Sequence, residues 1–259
     1  MESTVAPQLL APQPPAPQPL TPQRLAVQRP VLTPAQESWR RFARSLEPVE
    51  FGRGDVLLRL GVPTEELFVL RSGKAKTCVT SSDGRELVLD FHCANEVVVE
   101  PTLFDAAPSV STTVAITDVR AGRISRADLT KWLVLCPEIT ERLLGCIARR
   151  QRESHRMRMD VVQLDAPARL AKALLRLAGR FGSDRFGTDR RGSLLMVEDL
   201  TQEELGQYVG SRRDTVNKTL ADFAQRGWIS IERKSIFLTD PAQLSRRVRV
   251  GMPAVPKQR

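Results

Sequence analysis

From Phe51 to about Ser125 the hydrophobic residues fall in short runs, DVLLRL, ELFVL, AKTCVT, ELVLDF, EVVV, TTVAI and VRAGRIS, separated by turn-forming residues. Runs this short are too brief for ordinary helices and suit half-buried strands. Gly61, Gly73, Asp83-Gly84 and Pro108 punctuate them. Asp-Gly is a strong tight-hairpin pair, because both residues tolerate positive φ. The pattern predicts an all-β barrel or jelly roll. Ahead of it, Trp39, Phe42 and Leu46 lie at helical spacing and predict a short amphipathic helix over 35–46.

Beyond the strands the period becomes helical. Pro137-Glu138 opens the stretch, with proline at a tolerated first-turn position. Leu143, Ile147, Arg150, Ser154, Met157, Val161 and Leu164 then alternate three and four apart. This is a coiled-coil-like stripe, and its polar members suit a seam between two copies better than a sealed core. A second helix, from Ala166 to about Phe181, carries Leu170, Leu174, Leu175 and Leu177. Residues 182–193 read as a charged, glycine-containing loop.

The segment from Leu200 to Leu220 carries the most chemistry. Thr201 followed by Glu204 is a capping box for a first helix, whose inward face holds Leu205 and Val209. Gly210 permits a sharp turn. The next helix buries Val216, Leu220 and Phe223, which leaves Arg213, Asp214, Asn217 and Lys218 on the opposite face. Such a face suits the major groove: arginine donates bidentately to guanine and a carboxylate accepts from cytosine. A helix-turn-helix reads bases with the N-terminal residues of its second helix. Downstream, Trp228 to Thr239 gives two short strands around Arg233-Lys234, a wing that places cations near phosphates. Arg246, Arg247 and Arg249 extend that contact or form a solvated tail.

Charge agrees with this location. The 259 residues carry a net charge of +9. Residues 1–164 hold 21 Lys and Arg against 19 Asp and Glu, a net of +2; residues 165–259 hold 18 against 11, a net of +7. The C-terminal third therefore faces the polyanion. Nine of the 18 prolines fall within residues 1–34, a composition that predicts a disordered or polyproline-like tail. The sequence shows neither a signal peptide nor a membrane-length apolar run, so a cytoplasmic protein with no membrane partner is expected.

Cys78, Cys93, Cys136 and Cys146 show no metal-ligand spacing, and His92 and His155 are the only histidines. No acid, base, nucleophile or metal constellation points to an enzyme, and no cofactor is expected. An iron–sulfur cluster is disfavoured because the first 77 residues lack cysteine. A lone histidine is a weak haem ligand, and the cysteines have no activating neighbour for redox sensing.

The order of jelly roll, long helix and winged helix-turn-helix resembles the cyclic-AMP receptor protein/FNR superfamily from about Phe51 to Arg249. The resemblance is densest at LTQEELGQYVGSRRDTVNKTLADFAQRGWI, which is similar to the actinobacterial branch. It implies an α+β protein: a double-stranded β-helix sensor over 35–137, a dimerisation helix over 138–164 and a DNA-binding domain over 165–249. The Pro-rich tail (1–34) and a basic tail (250–259) flank these. It further implies a homodimer on palindromic double-stranded DNA, with RNA polymerase as a candidate partner. Arg213, Asp214 and Lys218 occupy the family's base-reading positions. Asp214 is one methylene shorter than the usual glutamate, and Arg212 replaces the serine that commonly caps the recognition helix, a role open to Ser211.

The family's phosphate-binding cassette corresponds to Val99-Glu-Pro-Thr-Leu-Phe-Asp-Ala-Ala-Pro-Ser-Val110. Glu100 is retained where the family holds the ribose hydroxyl. Val99 replaces a glycine whose missing Cβ admits the nucleotide. Ser109 replaces the arginine that grips the cyclic phosphate, and Val110 the hydroxyl beside it. Losing that charge-assisted contact costs about 2–5 kcal/mol. Ser154 and His155 stand where the family contacts adenine, with Arg149 and Arg150 just before. The expectation is a DNA-binding regulator without the usual cyclic-AMP response. The alternatives are a cyclic-nucleotide-responsive relative, an enzyme controlled by such a module, and an architectural protein without sequence readout.

Overall fold

Thr33 caps the first helix. Its hydroxyl accepts from the Gln36 amide, and the Gln36 side chain accepts from the Thr33 amide, so both free donors at the start of α1 (Pro34–Ser45) are satisfied. The computed structural model describes residues 33–105, 107–181, 194–233 and 235–251. The proline-rich stretch 1–32, the 182–193 segment and Lys234 lie outside the described residues.

Eight strands follow: β1 (Glu47–Phe51), β2 (Val56–Leu58), β3 (Glu66–Ser72), β4 (Ala75–Thr80), β5 (Glu86–His92), β6 (Val97–Val98), β7 (Thr112–Ala115) and β8 (Val119–Ser125). They form two four-stranded antiparallel sheets, β1-β8-β3-β6 and β2-β7-β4-β5. Leu57, Phe68, Leu70, Val98 and Ala121 pack in the core between them, as the apolar runs require. The strands start earlier than the sequence pattern indicated, at Glu47 rather than Phe51. Pro48 lacks an amide donor, which a sheet-edge strand tolerates, and β1 is such an edge. A single helical turn, α2 (Thr102–Asp105), lies between β6 and β7.

The helix α3 (Arg126–Leu135) is not foreshadowed by the strand pattern. Ser125 ends β8 and its hydroxyl accepts from the Asp128 amide, which converts the chain to helix at once. α4 (Pro137–Gln163) is the long helix. Phe42, Leu67, Val99, Leu103, Leu129, Ile139 and Leu143 form one apolar cluster that seats α1, α3 and the start of α4 on the barrel. Burying a phenylalanine such as Phe42 contributes about 1.5–3 kcal/mol.

Within the chain, the α4 stripe meets several partners. Leu143 packs into the barrel cluster, Arg150 hydrogen-bonds to the barrel and Met157 packs against the DNA-binding domain. A neighbouring face holds the exposed apolar residues Leu144 (59%), Met159 and Val162 (84%).

After Leu164 the chain continues as α5 (Ala166–Phe181), β9 (Leu194–Glu198), α6 (Gln202–Val209), α7 (Arg213–Gln225), β10 (Ile229–Glu232), β11 (Ser235–Leu238) and α8 (Pro241–Gly251). The strands make a β10-β11-β9 sheet, so β9 adds a strand to the expected two-stranded wing. Arg246, Arg247 and Arg249 lie on α8, where Arg247 donates to Asp165 at 2.6 Å and so ties α8 to the start of α5. A shared core joins this part to the barrel: Cys78, Val88, Phe91 and Ile116 cluster with Leu170, Leu174, Leu205, Tyr208, Val216 and Phe223.

Candidate nucleic-acid interface and sensor cavity

The helix-turn-helix forms by the local rules its sequence states. Thr201 Oγ1 accepts from the Glu204 amide at 3.1 Å, and Glu204 Oε2 accepts from the Thr201 amide at 2.8 Å. Gly210 ends α6 at φ 62°, a left-handed conformation that glycine adopts without Cβ strain. Gly206 is equally constrained. A Cβ there would sit 2.9 Å from the Ser211 carbonyl oxygen, so only glycine lets the turn pass this close to α6.

Val216, Leu220 and Phe223 are buried, and Arg212, Arg213, Asp214 and Lys218 are exposed. Asn217 differs from expectation. It is half-buried, and its Oδ1 has no hydrogen-bond partner among the described residues, because it lies at the border of the buried face. Nor does Ser211 cap α7. Arg212 holds the cap position without a side-chain bond, and the Ser211 amide donates instead to Gly206 O at 2.9 Å. Arg233, at φ 54°, is exposed at the turn between β10 and β11. Arg213 and Arg233 line one cleft of about 600 Å³, with Thr201 of α6 and Arg53 and Asp118 of the barrel. Arg213 and Arg233 thus lie at one cleft, which the acidic Asp118, Asp199 and Glu203 also line.

A second cavity, about 360 Å³, lies between β4 and β5, the cassette, α4 and the DNA-binding domain. Val99, Glu100, Val110, Arg150 and Ser154 line it. Ser109 is buried behind Glu100: its hydroxyl lies 2.8 Å from Ser111 O and 3.2 Å from Glu100 Oε1, and the Ser111 hydroxyl donates to the same carboxylate oxygen. The carboxylate is thus occupied by its own chain. Arg150 donates to the carbonyls of Val99 at 2.7 Å and Val97 at 3.1 Å, so it braces the cassette backbone. His155 does not reach the cavity; it is exposed on α4, 3.1 Å from Gln151 Nε2.

Sequence reasoning missed Asp90, Arg169, Arg176, Arg180 and Tyr208, all of which line the same cavity. Arg169 donates to Val209 O at 2.8 Å and Gly210 O at 3.3 Å, placing the helix-turn-helix glycine in the cavity wall. No sequence signal announces these residues, because their partners lie in distant segments. His92 is fully enclosed; burial pushes its pKa down to about 3 against the pull of Asp90, and the neutral ring bonds Thr77 Oγ1 at 2.8 Å. Burial raises the Cys78 and Cys93 thiols to about 11, reinforced by Glu86 and Glu96 respectively. Among the described residues, no cluster of three or more potential metal ligands occurs and no helix is long and apolar enough to cross a membrane.

Comparisons with known proteins agree with this architecture. Residues 48–134 match the cyclic nucleotide-binding domain family, and residues 168–247 match the Crp-like helix-turn-helix domain family. The chain is 43% identical over 206 residues to the CRP-like cAMP-activated global transcriptional regulator of Mycobacterium tuberculosis, covering 80% of this chain and 90% of that one. It is 26% identical over 211 residues to the transcriptional regulatory protein btr of Bordetella pertussis, covering 82% and 85%. Among solved structures, FixK2 from Bradyrhizobium japonicum superposes with a TM-score of 0.68 at 19% identity, over 78% of this chain and 96% of that one. A barrel of the cyclic-nucleotide-binding type and a Crp-like reading helix in one chain, with a relative at this identity over most of its length, make this a DNA-binding transcription regulator of the CRP/FNR family.

Proposed function

We propose that this regulator binds a palindromic operator as a homodimer and does so without the family's usual cyclic-AMP response. The observation that carries the second half is the cassette: Ser109 stands where a phosphate-gripping arginine is expected and bonds Glu100 instead. At position 109 a buried cyclic phosphate would meet a serine in place of a bidentate donor. The domain bounds follow the elements: barrel to Cys136, long helix to Leu164, DNA-binding domain to α8.

The dimer seam runs along the α4 face bearing Leu144, Met159 and Val162, exposed apolar residues that a second α4 would cover. Two-fold pairing then presents two copies of Arg213, Asp214 and Lys218 to half-sites about one helical turn apart. Arg233 and Arg212 supply phosphate contacts at the edges. Lys234 and the polymerase contact belong to the same reading.

A second reading, a cyclic-AMP-responsive regulator, is favoured by the name of the Mycobacterium tuberculosis relative, which states activation by cAMP. Calorimetric titration separates the two. Absence of saturable binding at millimolar cAMP supports the proposal, and micromolar saturation overturns it. Selection from random-sequence duplexes tests the rest. A shared palindrome, lost with Arg213→Ala, is expected; enrichment that ignores Arg213 removes its reading role. Sedimentation of Leu144→Glu/Val162→Glu as a monomer is the expected result for the seam.

A further inference from the structure

The Asp90 carboxylate on β5 stands where three parts of the molecule meet. From α5, Arg180 Nη1 donates to Asp90 Oδ1 at 2.6 Å, and Arg180 Nη2 donates to Phe91 O at 3.0 Å and Glu96 Oε1 at 3.1 Å. From α4, Arg150 Nε lies 3.7 Å from Asp90 Oδ2 while its two terminal nitrogens hold the carbonyls of Val97 and Val99. One carboxylate is therefore gripped by the arginine that braces the cassette and by the arginine that docks the first helix of the DNA-binding domain.

The groups around it reinforce the grip. Burial disfavours a charge on Asp90, yet Arg180 and Arg150 bring its pKa below the ordinary carboxylate range. Burial likewise disfavours a charged Arg180, and Asp90 and Glu96 more than offset it. Side-chain exposures of 17% for Asp90 and 27% for Arg180 mean that water screens this pair less than an exposed one. Next to it, the Phe91 ring meets Tyr208 of α6 with centroids 5.0 Å apart, so the same strand segment fixes the helix that precedes the recognition helix.

We propose that Asp90 is a positioning residue for DNA reading: shared between Arg150 and Arg180, it sets how the helix-turn-helix sits on the barrel and couples that seating to the cassette. Among the described residues neither Arg150 nor Arg180 is bonded to Arg213, Asp214 or Lys218, so on the proposed reading their influence on DNA passes through orientation. A coupled pair betrays itself by non-additive effects, which independent structural residues do not show.

The full-length protein offers a direct probe, because Tyr208 is its single tyrosine. Carbon-13 tyrosine labelling gives one set of ring signals reporting the Phe91–Tyr208 contact. Arg150→Gln is expected to shift those signals, although among the described residues Arg150 makes no hydrogen bond, ion pair or ring contact with Tyr208. Against a duplex enriched by the wild type, Asp90→Asn, Arg180→Gln and Arg150→Gln should each weaken binding fivefold or more, with random-duplex affinity held within twofold. The Arg150→Gln/Arg180→Gln double variant should fall short of the product of the single effects by threefold or more. Should Arg180→Gln not fold, Arg180→Lys, which keeps the charge but cannot span both carboxylates, carries the same comparison. An unmoved Tyr208 signal in Arg150→Gln, or operator affinities that stay within twofold or multiply independently, would overturn the proposal.

Discussion

Ser109 Oγ lies 3.2 Å from Glu100 Oε1 behind the wall of the sensor cavity, next to the carboxylate that the family resemblance assigns to a nucleotide ribose. The contact is possible because serine is short: an arginine at 109 would carry its charge past Glu100 into the cavity. Replacing Ser109 by Arg and Val110 by Thr should therefore create cyclic-AMP affinity. At least a tenfold gain over wild type by calorimetry is expected, from about 2–5 kcal/mol of restored phosphate contact offset by the displaced hydrogen bonds. An equal lack of binding in both proteins would locate the barrier at Val99 instead.

Gly206→Ala sets two effects against each other. Alanine gains about 1 kcal/mol of helix propensity. The added Cβ meets the Ser211 carbonyl at 2.9 Å, and backbone cannot swing aside as a side chain can. Overpacking of this kind costs about 1–3 kcal/mol, so the clash wins. A lower denaturation midpoint and weaker operator binding should appear together.

Arg212→Ser separates stability from affinity. α7 begins without a side-chain cap, and serine there accepts from the free amides, worth about 0.5–2 kcal/mol. The same change removes an exposed cation that, on the proposed reading, faces the duplex. Thermal stability should rise while the salt dependence of DNA binding flattens.

Arg213 and Lys218 divide by readout. Truncating Arg213 to alanine should cost about 1–3 kcal/mol on the selected operator and relax its preference at one base. For Lys218→Ala, a loss shared by specific and random duplexes, with the salt slope reduced by about one, would mark it as a phosphate contact. Fluorescence anisotropy over a series of salt concentrations distinguishes the two patterns.

His92 predicts a pH response. Its folded pKa is about 3, well below the 6.5 of an unfolded histidine, because burial opposes the charge. Below about pH 6.5 the unfolded chain takes up a proton that the folded chain refuses. Stability present above that pH is therefore lost as pH falls toward 3, by up to about 1.4 kcal/mol per unit. Denaturant midpoints at pH 7 and pH 5 should differ for wild type and converge for His92→Gln. His155, exposed on α4, serves as the control position.

Elements held by neighbours in sequence were legible in advance. The Thr201–Glu204 capping box, the Gly210 turn, the buried Val216–Leu220–Phe223 face and the alternating strands all depend on residues within one or two turns, where spacing and residue type decide the outcome. What the sequence did not determine is which surfaces meet. The α4 stripe was periodic, yet periodicity does not say whether a barrel or a second helix covers it; Leu143 and Arg150 went to the barrel, and Leu144 and Val162 were left outside. Asn217 and His155 followed the pattern and missed their expected places, because burial at a helix edge depends on neighbours from other elements. The link from Asp90 to Arg180, 90 positions apart, exists only once the fold closes. Local chemistry made this chain a DNA reader; tertiary packing decided how its sensor and reader are joined.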